Sequence, residues 1–276
     1  MLDSGDGAKL ERFGKYILMR PDRGILWRRS LPEKIWNDAD AAFVPAENGE
    51  GHWECKRKPP ERWQMQYGAL SFWARLTPFR HTGVFPEQAP HWDWMTEIIK
   101  SAKRPINVLN LFAYTGIATL VAASAGASVT HLDASKPTIG WARENAELAK
   151  LSDRPIRWIL DDAIKFVKRE GRRDRRYDAI IIDPPVFGRG PQGEIWRFAK
   201  SFPALIEACK RILSERPLFV IITAYEIEES SLMLANILAD WLEQSGGSID
   251  AGELVLQPKN RNRPISTSVY ARWSAE

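Results

Sequence analysis

Four short segments between residues 110 and 185 carry acidic or glycine residues in similar settings: Asn110-Leu-Phe-Ala-Tyr-Thr-Gly116, Asp133, Asp161-Asp162 and Asp183-Pro184-Pro185. Each directly follows a short apolar run. Open α/β sheets bind ligands beyond the carboxyl ends of their strands, near the point where strand order reverses. Loops at those ends are therefore where chemistry collects. Thr115-Gly116 opens a helix, where free N–H groups and a missing side chain let a ligand approach the backbone, or where glycine simply serves a strand-to-helix turn. Asp133 can accept both hydroxyls of a ribose or cap the next helix. Asp162 can accept from an adenine amino group or cap its own helix. In Asp183-Pro184-Pro185 the two prolines end strand hydrogen bonding and fix a rigid turn. Placed at one sheet edge, these features support one another.

The elements that must position them follow from periodicity. Val- and Ile-rich runs at 106–112, 128–133, 156–160, 177–183 and 217–223 fit strands buried on both faces of a parallel sheet. Helical stretches are expected at 117–125, 136–151, 162–170, 194–213 and 229–241. Strand alternating with helix predicts a doubly wound, Rossmann-like α/β sheet. Two further strands, 252–257 and 266–273, predict a C-terminal antiparallel hairpin at the sheet edge. Before residue 100 the texture changes. Turn signals at Pro21-Asp22-Arg23-Gly24 and Glu47-Asn48-Gly49 separate aromatic-rich segments, and 63–76 reads as strands interrupted by Gly68. The expected division is a small β-rich N-terminal domain, 1–90, and a catalytic domain, 91–276, entered through a helix at 91–101.

Composition narrows the classes. With 276 residues, 44% hydrophobic and 27% charged, the chain can bury an ordinary globular core. No apolar run approaches the roughly 20 residues that span a bilayer, and the polar N-terminus lacks a signal peptide's apolar stretch, so a cytoplasmic protein is expected, with no membrane partner. The two cysteines, Cys55 and Cys209, stand far apart, which argues against a disulfide framework or a zinc site. No metal is expected.

The segments NLFAYTG, HLDASKPTIGWARENAEL, DDAIKFV and IIIDPPVFGRG together resemble class I methyltransferases of the large-subunit ribosomal RNA group, whose members make 5-methylcytosine or 7-methylguanine. The resemblance runs from about Arg80 to the C-terminus and implies S-adenosylmethionine as cofactor. It further implies cofactor contacts from Phe85 and Gln88 in HTGVFPEQ, and from Phe112, Ala113, Tyr114, Thr115, Gly116, Asp133, Ala134, Asp162, Ala163 and Asp183. Asp183, Pro184 and Pro185 are the implied catalytic residues, facing the methyl group and the acceptor. Two departures stand out. The first hundred residues are too short for the N-terminal RNA-binding module of longer members plus a linking β-domain. The position where 5-methylcytosine enzymes place a cysteine after the fifth strand reads Thr223-Ala224-Tyr225.

Methyl transfer asks mainly for in-line alignment and exclusion of water. Attack from C5 of a pyrimidine needs a thiolate to add to the ring first, and neither cysteine is well placed. A nitrogen acceptor is therefore expected, with guanine N7 favoured by the resemblance. RNA is the expected partner, held by Lys165–Arg176, which contains seven Lys or Arg, and by Lys259–Arg263. A solvated helix end is the plain alternative for the first run. Phe112, Tyr114 and Phe187 can contact a sulfonium, stack a base or pack the core. Other functions compete. A nicotinamide-dependent oxidoreductase requires GxGxxG after the first strand, which AYTGIA lacks. A small-molecule or protein acceptor, and a non-catalytic RNA-binding protein, stay open because fold does not fix substrate.

Overall fold

The computed structural model describes residues 1–46, 51–259 and 262–275. The chain forms two compact units, Met1–Pro86 with Val255–Ser266, and Glu87–Leu254 with Thr267–Glu276. In the first, strands β1 (Asp3–Gly5), β2 (Ala8–Phe13), β3 (Tyr16–Pro21), β4 (Ala41–Pro45) and β5 (Gly51–Cys55) form one sheet in chain order, with the short helix α1 (Glu33–Asn37) between β3 and β4. Strands β6 (Trp63–Tyr67) and β7 (Leu70–Ala74) form a separate hairpin, whose turn is made by Gly68 at φ 54°. Leu10, Trp36, Ala8 and Ala39 form a buried cluster here. Asp3 ties it to the loop before α1, its Oδ2 accepting from Ser30 N, Leu31 N and the Trp36 indole at 2.8–3.0 Å. The turn expected at Glu47-Asn48-Gly49 lies outside the described residues.

The second unit opens with α2 (Ala89–Ser101) and continues β8 (Asn107–Leu111), α3 (Ile117–Ser124), β9 (Ser128–Asp133), α4 (Lys136–Leu148), β10 (Ile156–Leu160), α5 (Ala163–Arg172) and β11 (Ala179–Ile182). After these come β12 (Phe187–Arg189), β13 (Ile195–Arg197), α6 (Phe198–Lys210), β14 (Phe219–Ala224) and α7 (Ser231–Leu242); the last strands are β15 (Ser248–Leu256) and β16 (Ile265–Ser274). The main sheet runs β10-β9-β8-β11-β14-β16-β15. Its first five strands are parallel, and β16 lies antiparallel to β14. The order reverses between β8 and β11, so the switch point sits where both strands end.

Both sheet faces are covered, which explains the continuous apolar runs. Leu109, Leu111, Ile180, Ile182, Val220 and Ile222 face one way, into a core completed by Phe166 of α5, Phe202 and Leu205 of α6, and Leu234 and Leu238 of α7. Asn110, one residue out of phase, faces the other way, where its Nδ2 donates to Thr119 of α3 at 3.0 Å. Period-two alternation thus assigns each helix to its side.

One expected element is corrected. The helix expected over 194–213 begins only at Phe198; residues 195–197 form β13, paired antiparallel to β12. The cause is the turn Gly190–Gly193. Gly193 adopts φ 89°, and Gly190 N donates to Glu194 O at 2.8 Å. Phe198 N donates to Val186 O at 2.9 Å, so extended pairing continues to the start of the helix.

Candidate active site at the sheet switch point

The loop after β8 has the least common backbone of this edge. Phe112, Tyr114 and Gly116 adopt φ of 56°, 50° and 82°, the left-handed region that bulky residues rarely enter. Such backbone costs about 1–3 kcal/mol per residue and persists only where the surroundings over-determine it, often at functional sites. Here the restraints are visible. Ala113 N donates to Leu132 O at 2.9 Å, Tyr114 N to Asp133 Oδ2 at 2.9 Å, and Gly116 N to Ala113 O at 3.0 Å. Asn145 Nδ2 of α4 donates to Thr115 O at 2.9 Å. A Cβ on Gly116 would stand 3.0 Å from Ala142 Cβ and 3.4 Å from His131 Cε1. Its missing side chain therefore makes room for α4, in addition to serving the turn.

Asp133 ends β9 with both oxygens engaged, Oδ2 by Tyr114 N and Oδ1 by Ser135 N at 2.9 Å. The cap of the next helix is Ser135 rather than Asp133: its hydroxyl accepts from Thr138 N. Burial raises the Asp133 pKa despite its backbone donors. Each oxygen keeps lone pairs, since a carboxylate accepts about four hydrogen bonds. Ala134 follows it, half-buried. Asp162 does cap α5, its Oδ1 accepting from Lys165 N at 2.9 Å, and Ala163 is buried behind it. Phe112 packs its ring 4.8 Å from that of Trp196, and Tyr114 lies 6.3 Å from Trp141. Phe85 belongs to the N-terminal unit, its ring 5.1 Å from that of His81.

The candidate catalytic carboxyl, Asp183, stands at the end of β11. Its Oδ2 accepts from Gln88 Nε2 at 3.2 Å, and the same nitrogen donates to Tyr225 Oη at 3.0 Å. Asp183 Oδ1 is sealed from solvent with no hydrogen-bond partner. Burial, then the neighbouring Glu87 carboxylate, pushes the Asp183 pKa up to about 8. Burial, then Asp183 and Glu87, also raises the Tyr225 phenol well above its usual value, so its proton is firmly held. Pro184 is buried and Pro185 exposed. The Pro185 carbonyl is already occupied, accepting from the Trp196 indole at 2.6 Å. The indole thus takes up one of the two carbonyls of the Pro184-Pro185 turn.

Glu87 and Tyr225 are the residues that sequence reasoning missed. Tyr225 directly follows β14, so the strand-end rule that singled out Asp133 and Asp183 applies to it equally. Glu87 sits within the segment HTGVFPEQ, one residue before Gln88. Among the described residues no cluster of His, Cys, Asp or Glu has metal-binding geometry, and no helix is long and apolar enough to cross a membrane.

Four of the seven cations in the basic run form ion pairs where they stand. Lys165 pairs with Glu194, Arg169 with Asp161 at 2.6 Å, Arg173 with Glu170 at 3.8 Å and Arg176 with Asp174 at 2.6 Å. Lys168 and Arg172 instead line a groove between α5 and α6. In the second basic cluster, Asn260 and Arg261 lie outside the described residues; Lys259 and Arg263 are exposed.

Comparison with known proteins sets this geometry in context. Residues 46–216 match the family profile described as S-adenosylmethionine-dependent methyltransferase. A crystal structure of the SAM-dependent methyltransferase from Agrobacterium tumefaciens is 44% identical with TM-score 0.96, covering 100% of this chain and 90% of that one. The fold is shared with SMU.776, solved with SAH, at 21% identity and TM-score 0.74, over 97% of this chain and 71% of that one. Among curated proteins, the ribosomal RNA large subunit methyltransferase K/L of Hahella chejuensis is 34% identical over 156 residues, which are 56% of this chain and 20% of that protein. The ribosomal RNA large subunit methyltransferase K of Neisseria meningitidis serogroup B is 24% identical over 221 residues, 76% of this chain and 61% of that one. The chain thus spans about a fifth of the K/L relative's length.

Proposed function

Because this chain belongs to the S-adenosylmethionine-dependent methyltransferase family, we propose that it transfers the donor's methyl group to a nitrogen of an RNA base, guanine N7 first among them. The observation that carries this reading is Asp183, a half-buried carboxyl at the switch point, held by Gln88 and adjoining Tyr225. Names of the ribosomal RNA relatives support an RNA acceptor. In this reading residues 91–276 are the catalytic domain, residues 1–90 an accessory one, and the reaction is cytoplasmic.

The residues fit the donor chemically. When bound, it supplies a methyl group already activated on a sulfonium. Asp133 would receive the ribose hydroxyls on its remaining lone pairs and Asp162 the adenine amino group, with the 112–116 loop beside them. Ala134 and Ala163 would add the contacts within this unit that the family resemblance implies. Asp183 accepts a hydrogen bond from the base edge, beside the Pro184 carbonyl. The base must leave its stack or already be single-stranded to reach this pocket.

Asp133→Ala is expected to weaken SAH binding by about 1.5–3 kcal/mol, the worth of a charge-assisted hydrogen bond, or roughly tenfold or more in affinity. Unchanged affinity by calorimetry in a folded variant removes Asp133 from the site.

The burial of Cys209 supports nitrogen as the acceptor. Cys209 is buried in α6, and burial raises its pKa well above the usual thiol range, so it is no nucleophile. Cys55 lies exposed in the N-terminal unit. The double variant Cys55→Ser, Cys209→Ser is expected to retain methyl transfer in tritium-incorporation assays. Lost activity, together with trapping of 5-fluorocytosine RNA by the unmodified protein, would instead establish C5 chemistry.

A further inference from the structure

The ribbon β12–β13 begins two residues beyond Pro185 and presents an unusual outer face. Strand alternation turns Gly188 and Trp196 inward and leaves Phe187, Arg189, Ile195 and Arg197 outward and exposed. Phe187 is 54% exposed and Ile195 61%. The register sets Phe187 opposite Arg197 and Arg189 opposite Ile195. Each cation therefore stands beside an apolar side chain. Among the described residues no carboxylate lies within ion-pair distance of Arg189 or Arg197. This contrasts with the paired cations of the 165–176 run.

The inner side is firmly anchored. Trp196 is buried and bonded to the Pro185 carbonyl. Glu194 at the far end of the ribbon accepts from Gln192 N at 2.9 Å and pairs with Lys165 of α5. The outer face is thus held rigid next to the Asp183-Pro184-Pro185 turn. A two-stranded ribbon too small to bury its own outward side chains leaves them available to a partner.

We propose that this face binds the single-stranded RNA segment flanking the acceptor base, a proposal that rests on the RNA reading of the site. The chemistry matches on both counts. Any base has a π-face that an exposed aromatic ring can stack, and a strand's phosphates seek unpaired guanidinium groups. Phe187 stacks a base next to the acceptor, with Ile195 extending the apolar surface. Arg189 and Arg197 each hold a phosphate. Specificity for sequence is not expected from this face, because stacking and phosphate contacts carry little of it.

Fluorescence anisotropy with a short fluorescein-labelled single-stranded RNA, titrated across a range of salt concentrations, tests the proposal. Two phosphate contacts on a single strand contribute about 0.7 each to the salt slope, so Arg189→Ala with Arg197→Ala should flatten the log–log plot by about 1.4 and weaken low-salt binding about tenfold or more. Phe187→Leu should weaken binding about fivefold or more with the slope unchanged, since it removes stacking but no charge. SAH affinity, measured by calorimetry, should stay as in the unmodified protein for both variants. Unchanged RNA affinity and slope in the double arginine variant, with binding lost instead in Lys168→Glu with Arg172→Glu, overturns the ribbon proposal and leaves the RNA acceptor standing. An unmodified protein that binds SAH but no RNA even at low salt overturns both.

Discussion

Asp183→Ala is expected to lower kcat about 100- to 1,000-fold, the range typical of removing a positioned acid–base or polar stabilising group. Asp183→Asn, which keeps one acceptor oxygen and loses the charge, should fall less, by about tenfold. The same Asn variant should be more stable than the unmodified protein. In the unfolded chain the carboxyl titrates at its ordinary value of 3.8, whereas in the native state burial and Glu87 hold it at about 8. Below both values it is protonated in both states and contributes no difference. Between them the native state keeps a proton that the unfolded state has released, so stability falls as pH rises through this window and levels off above it. Asparagine cannot ionise and escapes the penalty. Differential scanning fluorimetry should therefore show the Tm advantage of the Asn variant widening from about pH 5 to about pH 8. An advantage that is equal at both ends would place the Asp183 pKa in its ordinary range, and a full rate in Asp183→Ala would remove it from catalysis.

Trp196→Ala carries the largest expected loss of stability, about 3–5 kcal/mol, as for other buried large aromatic residues truncated to alanine. Trp196 is 4% exposed and joins two loops that meet at the switch point: its indole N–H holds the Pro185 carbonyl, and its ring lies against Phe112 at 4.8 Å. Trp196→Phe keeps most of the packing and leaves the Pro185 carbonyl without its donor, for about 1–2 kcal/mol. Urea denaturation measures both. A cost below about 1 kcal/mol for the alanine variant would mean that the site collapses around the missing ring, against what close packing predicts. In the phenylalanine variant SAH affinity should persist while kcat falls, because the Asp183-Pro184-Pro185 turn has lost an anchor.

Much of this was legible in the chain itself. The period-two and period-3.6 patterns between residues 106 and 273 contain the alternation of strands and helices, because a strand covered on both faces must be apolar throughout. Asp133 and Asp183 stood out because strand ends are where an open sheet meets ligands. The β-rich N-terminal texture was visible in its turn residues and spaced aromatics. These features are local, and local propensity is what a sequence displays directly.

Other features required residues far apart in sequence to meet. Glu194-Ile-Trp-Arg197 looks helical by composition, but Trp196 finds a buried place under Pro185 and the glycine turn at 190–193 reverses the chain, so tertiary packing overrides propensity there. Gln88 and Tyr225 approach Asp183 only because α2 and β14 are brought to the same edge. The Asp183 pKa depends on Glu87, distant in sequence and close in space. Only folding sets Glu194 beside Lys165 of the basic run, across 29 residues. Pattern thus determined the sheet and its reactive edge, whereas burial and charge pairing, which exist only in the assembled structure, decided which groups at that edge are free to act.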